Sequence, residues 1–428
     1  MERAGIVESP RFNKSDLEKV FPQESAEGSY MLCVIAIHGN EPQIMTSAIA
    51  TEINEILENT GLKVADIVVP DVYGENTKRI LREEFPQALG RIFVCEKLGQ
   101  ILKKTEFSTA GYPAHMRSVS QNQPQVQYEL LEFLSRPFTA QSLTGEEKEF
   151  EPKGKRLEIN AGANVSASDP DTKNTHFVFP VMLSELVTAT LEDPVIGRYY
   201  DKRILEDVLV KAHKLEAAYR TTLIPIPDTF SFRYPDIDTQ LRDYLTRGIT
   251  ATPPLKKIKE PPKEMPRDSI YLMASGSGLG VNAVRAQAEQ LEHRGFNILR
   301  PIWMNFDFGQ IAPPNAIFHP EVKAVMGRPG FGTLWTTQVA EKPFIVIPGD
   351  WSESPEMWFN EKSVISTGLG DVISDREDLI ENLVQLGPRI RRLNQTIYNF
   401  LEITPDADGI RYAAEKILET EINKIPNT

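Results

Sequence analysis

The chain has 428 residues, more than one hydrophobic core usually serves, because domains mostly hold about 100 to 200 residues. Two domains are therefore predicted. Hydrophobic residues make up 41% and charged residues 25% of the chain, which excludes disordered, collagen-like and membrane-embedded classes of protein. The net charge of −13 disfavours a nucleic-acid partner, since a polyanion would need a basic patch that overcomes a repulsive field.

The cysteine content and the hydropathy pattern bear on the cellular compartment. The cysteines are Cys33 and Cys95, and Cys33 lies in an apolar run where a small hydrophobic residue would serve equally well. The first residues contain no apolar segment of the signal-peptide kind, and no later stretch reaches the roughly 18 apolar residues that a membrane span needs. We therefore expect a cytoplasmic protein without a transmembrane segment.

The N-terminal half opens with the pattern of an α/β fold. A continuously apolar run at 31–37 is typical of a buried parallel strand, and it stops at His38. Apolar residues at three-to-four spacing predict a helix at 43–57, and a second strand is predicted at 64–69. Ligands of such folds bind at the carboxyl ends of the strands, where His38 stands.

Residues 78–210 give a weaker pattern, which does not fix the order of the strands in the sheet. It predicts helices at 127–134 and 202–218 and a strand at 177–183. Five prolines and five basic residues between Ala251 and Asp268 then predict a stiff, solvated linker. The linker would separate a domain at 1–250 from one at 269–428.

The same pattern restarts after this linker. A helix is predicted through Val284, Ala288 and Leu291, directly after the glycine-rich turn that contains Gly276, Ser277 and Gly278. This turn reads GxGxG rather than GxGxxG, which disfavours a dinucleotide-binding enzyme. Two Rossmann-like domains are the result, and the strands of the second one are predicted at 270–274, 297–303, 322–326 and 344–347.

Residues 326–360 contain the most informative turn. Gly330 and Gly332 allow a tight turn and the close approach of a ligand, and Thr333 is predicted to cap a helix that runs to about residue 340. The N terminus of a helix favours anions such as a diphosphate. Arg328 would add a bidentate phosphate contact. A turn that serves packing alone is the competing interpretation.

This segment resembles the donor-binding signature of GT-B glycosyltransferases related to the UDP-glycosyltransferases and the lipid-II-forming N-acetylglucosaminyltransferase. Their pattern is a strand, His-Gly-Gly-x-Gly-Thr, a helix, two prolines with four residues between them, and Asp-Gln with a downstream Asn. Arg328 takes the place of the histidine, and Pro343 and Pro348 keep the proline spacing. The residues that match or fall at donor-binding positions are Gly330, Gly332, Thr333, Glu356 and Asn360.

The resemblance implies an α/β protein with the GT-B fold, in which two Rossmann-like domains with parallel sheets enclose a cleft. It also implies that the turn at Gly276, Ser277 and Gly278 borders the phosphates of the donor. The chain departs from the signature at Thr336, where the family has a ribose-binding glutamate, and at Met357, where it has glutamine. These departures leave the donor nucleotide open, with a UDP-sugar favoured.

The implied activity is an inverting transfer of a sugar from a nucleoside diphosphate sugar to a hydroxyl acceptor. His38, or failing it Glu41, would act as the base on the acceptor, unless His38 only hydrogen-bonds its own loop. No metal-ligand spacing is present among the other histidines, so we expect neither a metal ion nor a cofactor. The alternatives are a nucleotide-sugar epimerase or hydrolase on the same fold, and a non-catalytic nucleotide-sugar-binding protein.

Overall fold

The computed structural model describes residues 12–21, 31–36, 40–105, 111–151, 156–162, 164–166, 174–273, 281–348, 354–372, 379–405 and 407–424. These residues form two β-sheets packed with α-helices. The α/β class and the two-sheet architecture predicted from the sequence are confirmed.

The first sheet has β1 at its centre. The side chains of Leu32 to Ile35 are fully buried, as expected for an inner strand of a parallel sheet that is covered on both faces. The order is β5-β4-β3-β2-β1-β6-β7-β8-β9, and within the described residues the antiparallel pairs are β3–β4 and β4–β5. The strands are β1 (Met31–Ile35), β2 (Asp66–Pro70), β3 (Ile92–Cys95), β4 (Phe138–Ser142), β5 (Glu147–Phe150), β6 (Arg156–Asn160), β7 (Thr175–Val178), β8 (Tyr219–Pro225) and β9 (Thr250–Thr252).

Eight helices in the described ranges accompany this sheet. The long helix after β1 buries Ile49, Ile53 and Leu57 along one face, which is the stripe expected from their spacing. The helices are α1 (Lys14–Val20), α2 (Asn40–Asn59), α3 (Glu75–Glu84), α4 (Glu96–Leu102), α5 (Tyr112–Leu134), α6 (Leu183–Glu192), α7 (Lys202–Glu216) and α8 (Ile237–Thr246).

The second sheet is parallel throughout the described residues, in the order β12-β11-β10-β13-β14-β15. Its strands are β10 (Ser269–Met273), β11 (Asn297–Arg300), β12 (Gln310–Ile311), β13 (Val322–Gly327), β14 (Phe344–Val346) and β15 (Gly370–Val372). The helices that follow β10 in the chain are α9 (Val281–His293), α10 (Phe331–Val339), α11 (Pro355–Thr367), α12 (Leu379–Leu401) and α13 (Gly409–Asn423), and the last of them packs against the first sheet.

Several predicted elements have different bounds in the structure, and three of these differences involve a proline. The strand predicted at 177–183 is β7, which ends before Pro180, and the strand predicted at 297–303 is β11, which ends before Pro301. Proline has no amide hydrogen to donate to a neighbouring strand, so both ladders stop there. The helix predicted at 127–134 is only the end of α5, which begins at Tyr112 with a proline in its first turn.

The segment predicted as a linker is buried where it begins. Its first residues complete β9, and Pro253, Pro254 and Leu255 are buried, whereas Lys257 and the residues that follow are more exposed. A Cβ atom at Gly409 would lie 2.1 Å from the carbonyl oxygen of Pro254, so the start of α13 packs directly on this segment. Helix α13 also packs against α2 of the first sheet. The domain boundaries at 250 and 269 stay a prediction.

Candidate functional site

The carboxyl end of β13 lies directly against the end of β10. A Cβ atom at Gly327 would be 2.2 Å from the carbonyl oxygen of Met273, which leaves room for no side chain. Glycine at this position therefore lets the two strand ends approach each other. The turn that follows β13 consequently starts at the carboxyl end of an inner strand, where ligands of parallel α/β sheets bind.

The turn after β13 carries a buried cation. Arg328 is only 8% exposed. The amide of Gly330 donates a hydrogen bond to the carbonyl oxygen of Arg328 (2.8 Å), which tightens the turn. An arginine guanidinium keeps its charge at any physiological pH, so this strand end holds a permanent positive charge.

Helix α10 begins immediately after the turn, two residues earlier than its predicted cap. Gly330 has extended backbone angles (φ −80°, ψ 148°) and is the N-cap residue, and no side chain caps the helix. The predicted capping role of Thr333 is therefore wrong, because Thr333 lies inside the first turn and its amide donates to the carbonyl of Gly330 (3.0 Å). The first turn of a helix has amides without internal acceptors and the positive end of the helix dipole. With Arg328 beside it, this turn favours an anion.

Helix α11 holds the turn in place. Asn360 is fully buried, and its Nδ2 donates to the carbonyl oxygen of Pro329 (2.8 Å). Glu356, one helical turn earlier, is half-buried; burial raises its pKa to about 7, although a hydrogen bond with Asn360 opposes the rise. The Cε atom of Met357 would lie 3.6 Å from a Cβ atom at Gly330. Of the two predicted donor-binding residues of α11, Asn360 thus contacts the Arg328 turn directly, and Glu356 is linked to it through Asn360.

Glu41 reaches the same place from the other sheet. It lies in the first turn of α2, yet its Cγ and Cδ atoms are 2.8 Å from the position of a Cβ atom at Gly332. Its carboxylate also forms an ion pair with Lys256. The structure therefore brings together Glu41, Arg328, Gly330, Gly332, Thr333, Glu356 and Asn360.

Four predicted site residues lie outside the described residues, namely His38, Gly276, Ser277 and Gly278. In the sequence, His38 follows Ala36, the first residue after β1, and the other three follow Met273, the last residue of β10.

Buried polar contacts join the two halves on either side of the turn. In α10, Nε2 of Gln338 donates to the carbonyl oxygen of Ile226 (3.2 Å). In α11, Oγ of Ser363 donates to the carbonyl oxygen of Thr229 (2.8 Å). Both acceptors lie in the segment that follows β8, so this segment fixes the position of the second half relative to the first.

A charged contact made by the first two turns of α11 has the same effect. Nε1 of Trp358 (3.1 Å) and Nζ of Lys362 (3.0 Å) both donate to Oδ2 of Asp193, which directly follows α6. These hydrogen bonds outweigh the effect of burial and lower the pKa of Asp193 to about 2. Asp193 is therefore ionised at neutral pH, and the ion pair with Lys362 is present.

Lys256, Gly327 and Gln338 lie at the candidate site and are not predicted from the sequence. A glycine at the end of an apolar strand was a usable signal for Gly327. For Lys256 and Gln338 no local signal exists, because their roles depend on contacts with residues far away in the chain.

In the part of the chain that the structure describes, no helix is both long and apolar enough to cross a membrane. Within the same residues, no group of three or more His, Cys, Asp or Glu side chains could hold a metal ion.

Comparison with known proteins bears on the fold. No protein-family model and no curated protein matches the chain. Solved structures do match over nearly the full length. The calicheamicin glycosyltransferase is 13% identical with a TM-score of 0.53, and the match covers 94% of this chain and 100% of that one. A UGT of Medicago truncatula complexed with UDP-glucose is 13% identical with a TM-score of 0.53, covering 95% and 100%.

A third match is a UDP-glucosyltransferase from Polygonum tinctorium, 12% identical with a TM-score of 0.54, where the match covers 93% of this chain and 99% of that one. At these identities the likeness concerns the fold. The chain has the GT-B fold, as predicted from its resemblance to the UDP-glycosyltransferases.

Proposed function

We propose that this protein is a glycosyltransferase that moves a sugar from a nucleoside diphosphate sugar to a hydroxyl acceptor in the cleft between its two sheets. The observation that carries the proposal is the buried Arg328 beside the uncapped N terminus of α10, at the carboxyl end of an inner parallel strand. The GT-B fold supports it. Since the Medicago truncatula protein was solved with UDP-glucose, we take a UDP-sugar as the donor.

The donor side of the reaction is assigned to the second half. As the glycosidic bond breaks, negative charge grows on the departing diphosphate. Arg328, the positive end of the α10 dipole and the first-turn amide of Gly332 would stabilise that charge without reorganising during the reaction. With a guanidinium and a helix dipole at the leaving group, a divalent metal ion is not required. The turn at Gly276, Ser277 and Gly278 would border the phosphates.

Contacts to the donor sugar are assigned to α11. Asn360 uses its Nδ2 to hold Pro329, so we assign it the positioning of the turn. Glu356 lies one turn away and is half-buried, which suits a carboxyl group that binds sugar hydroxyls.

The acceptor side is assigned to the loop after β1. An imidazole titrates near pH 6.5, so a neutral His38 would remove the proton from the acceptor hydroxyl as the hydroxyl attacks the anomeric carbon, at a pH of about 7. Glu41 is the alternative base. Direct attack opposite the diphosphate would invert the anomeric configuration.

Cytoplasmic localisation is part of the proposal. Cys33 and Cys95 are both buried and form no disulfide, as expected for a protein of a reducing compartment.

A second candidate is a protein that binds a nucleotide sugar without turnover. Thr336 replaces the ribose-binding glutamate of the related enzymes, and its Oγ1 donates to the carbonyl oxygen of Gly332 (2.7 Å). This hydroxyl thus bonds within its own helix. The hydrolase or epimerase alternative uses the same donor site with water or no acceptor.

Incubation with radiolabelled UDP-sugars tests the proposal, after a thermal-shift screen of nucleoside diphosphates has identified the nucleotide that binds. Product that contains both label and added acceptor supports transfer. Labelled free sugar formed equally without acceptor would show hydrolysis, and an isomerised donor would show epimerisation. Binding without any turnover over an acceptor panel would favour the second candidate.

A further inference from the structure

The first turn of α10 already faces a carboxylate from the other half of the molecule. Oε2 of Glu41 is 3.0 Å from the position of a Cβ atom at Gly332, and Cγ and Cδ are closer still. Because the Cα–Cβ direction in a helix tilts towards the N terminus, the carboxylate lies towards the start of α10. It therefore lies where the first-turn amides favour negative charge.

A lysine that the donor signature does not include completes this arrangement. Lys256 forms an ion pair with Oε1 of Glu41, and its side chain is 23% exposed. Its amide donates to the carbonyl oxygen of Pro254 (2.8 Å), in the buried start of the segment between the sheets. Packing of this segment against Gly409 of α13 thus fixes the backbone from which Lys256 extends.

The neighbouring lysines point to different partners. Lys257 pairs with Glu52 and Asp408, and Lys259 pairs with Glu84 of α3. Of the lysines of this segment with an ion pair in the described structure, Lys256 alone pairs with a carboxylate that contacts α10.

We propose that Lys256 is a second cationic ligand of the diphosphate, and that Glu41 competes with the diphosphate for Lys256 and for the first turn of α10. This inference rests on the proposed function and adds two residues to its donor site. A diphosphate on the first-turn amides of α10 would meet the like charge of Glu41, so the carboxylate must turn away. Lys256 keeps an anionic partner throughout, because a phosphate replaces the carboxylate.

The competition has a measurable consequence for affinity. The ion pair between Glu41 and Lys256 must break before the diphosphate takes its place, so the pair lowers the affinity below what the cations alone would give. A nucleoside without phosphates makes no such exchange. Substitutions at Glu41 and Lys256 should therefore act in opposite directions on UDP and leave uridine unaffected.

Calorimetric titration of the full chain with UDP and with uridine tests this. Lys256→Met keeps the length of the side chain and should weaken UDP binding about tenfold, as for loss of one charge-assisted hydrogen bond. Glu41→Gln keeps the shape of the side chain and should strengthen UDP binding about three- to tenfold, through removal of a like charge near the phosphates. Lys259→Met is the matched control, since it removes the same charge from an exposed pair, and it should bind UDP as the wild type does.

The outcomes separate this inference from the function on which it rests. If Arg328→Ala weakens UDP binding while Lys256→Met and Glu41→Gln leave it unchanged, the inference is overturned and the donor site remains. Weaker UDP binding by Glu41→Gln would also overturn the competition. Equal loss of UDP and uridine binding in Lys256→Met would show a structural role instead. Absence of binding of every nucleoside diphosphate by the wild type would overturn both proposals.

Discussion

At the scale of single residues, the glycines around the Arg328 turn serve different purposes. A Cβ atom at Gly327 would meet backbone, the carbonyl oxygen of Met273 at 2.2 Å. A Cβ atom at Gly330 would meet only the Cε atom of Met357 at 3.6 Å, an ordinary contact. The first glycine is thus required by the approach of two strands, and the second occupies an N-cap position that other residues can fill.

This difference gives a matched pair of variants. Gly327→Ala must push β13 away from β10, which should lower the free energy of unfolding by about 1 to 3 kcal/mol or more. Gly330→Ala should lower it by at most about 1 kcal/mol, the cost of a poor N-cap residue. Chemical denaturation of both variants measures the difference. Equal stabilities would contradict the close approach of the two strand ends.

The base assignment predicts a kinetic effect without a binding effect. His38→Ala should lower turnover by about two to four orders of magnitude, as for loss of general-base catalysis. Donor affinity should persist, because His38 is assigned to the acceptor side. Steady-state rates with saturating donor, together with titration of UDP, measure both quantities. An unchanged rate would transfer the role to Glu41 or to another residue.

At the scale of elements, the segment after β8 connects the candidate site to the first sheet. The carbonyl of Thr229 accepts from α11, and the ring of Phe232 stacks on that of Phe359 with centroids 6.0 Å apart. Buried Asp228 organises this segment: its carboxylate accepts from the amide of Phe230 (2.7 Å), from Nε2 of Gln240 (2.8 Å) and from the hydroxyl of Tyr244. Desolvation outweighs these donors and raises the pKa of Asp228 to about 7.

The raised pKa predicts a pH-dependent stability. Asp228 binds its proton more tightly in the folded than in the unfolded chain. Its contribution is therefore fully present below the ordinary pKa of 3.8 and is lost as the pH rises from there to about 7. The asparagine side chain of the Asp228→Asn variant cannot titrate. The free energy of unfolding of this variant should therefore fall less than that of the wild type between about pH 5 and pH 8.

Denaturant unfolding of both proteins at about pH 5 and pH 8 tests this. The informative quantity is the difference between wild type and variant in how the free energy of unfolding changes with pH. Glu356 also has a raised pKa and acts in the same direction, whereas the lowered pKa of Asp193 acts in the opposite one at more acidic pH. Both groups are present in the variant as well. Parallel pH profiles of wild type and variant would show that Asp228 does not titrate in this window.

Several strands that the sequence predicted correctly share one property, a continuous apolar run. Strands β1, β10 and β14 are of this kind because inner strands of parallel sheets are buried on both faces. Strand β6 was not predicted, although it is equally central, because Glu158 and Asn160 interrupt its apolar pattern. Their burial is compensated by hydrogen bonds from residues outside the strand, including Ser166 and Thr175 to Glu158, which local sequence does not reveal.

The candidate site likewise has a part that the sequence predicts and a part that it does not. The turn from Arg328 to Thr333 was predictable because proline and glycine mark turns and a helical pattern follows. The participation of Lys256 was not predictable, since it depends on the burial of Pro254 beneath α13, which lies far ahead in the chain. A basic, proline-rich composition indicates a solvated linker, and tertiary packing overrides that indication at its first residues.

At the scale of the whole molecule, the last helix returns to the first sheet. Glu52 of α2 is almost fully buried and forms ion pairs with Arg411 of α13 and with Lys257. The chain thus passes between the two halves twice, once near residues 253–268 and once before α13. Both crossings lie on the side of α2, which also supplies Glu41.

This arrangement predicts where a protease cuts among the described residues. Lys263 and Arg267 lie in the exposed part of the segment between the sheets, whereas the residues before Lys256 are buried. Trypsin should therefore cut after Lys263 or Arg267 before it cuts within the two sheets. Mass spectrometry of the early fragments identifies the sites. Early cuts within β10, β13 or α10 would contradict the division into two compact halves.

The turn from Arg328 to Thr333 is proposed to bind a diphosphate, and titration of the protein with UDP tests this proposal. Removal of a charge-assisted hydrogen bond costs about 1.5 to 3 kcal/mol, so Arg328→Ala should bind UDP roughly ten- to a hundredfold more weakly than the wild type. Arg328→Lys should lie between the two, because it keeps the charge and loses the bidentate geometry. Uridine should bind all three proteins alike. Equal affinity of wild type and folded Arg328→Ala for UDP would contradict the assignment of the diphosphate to this turn.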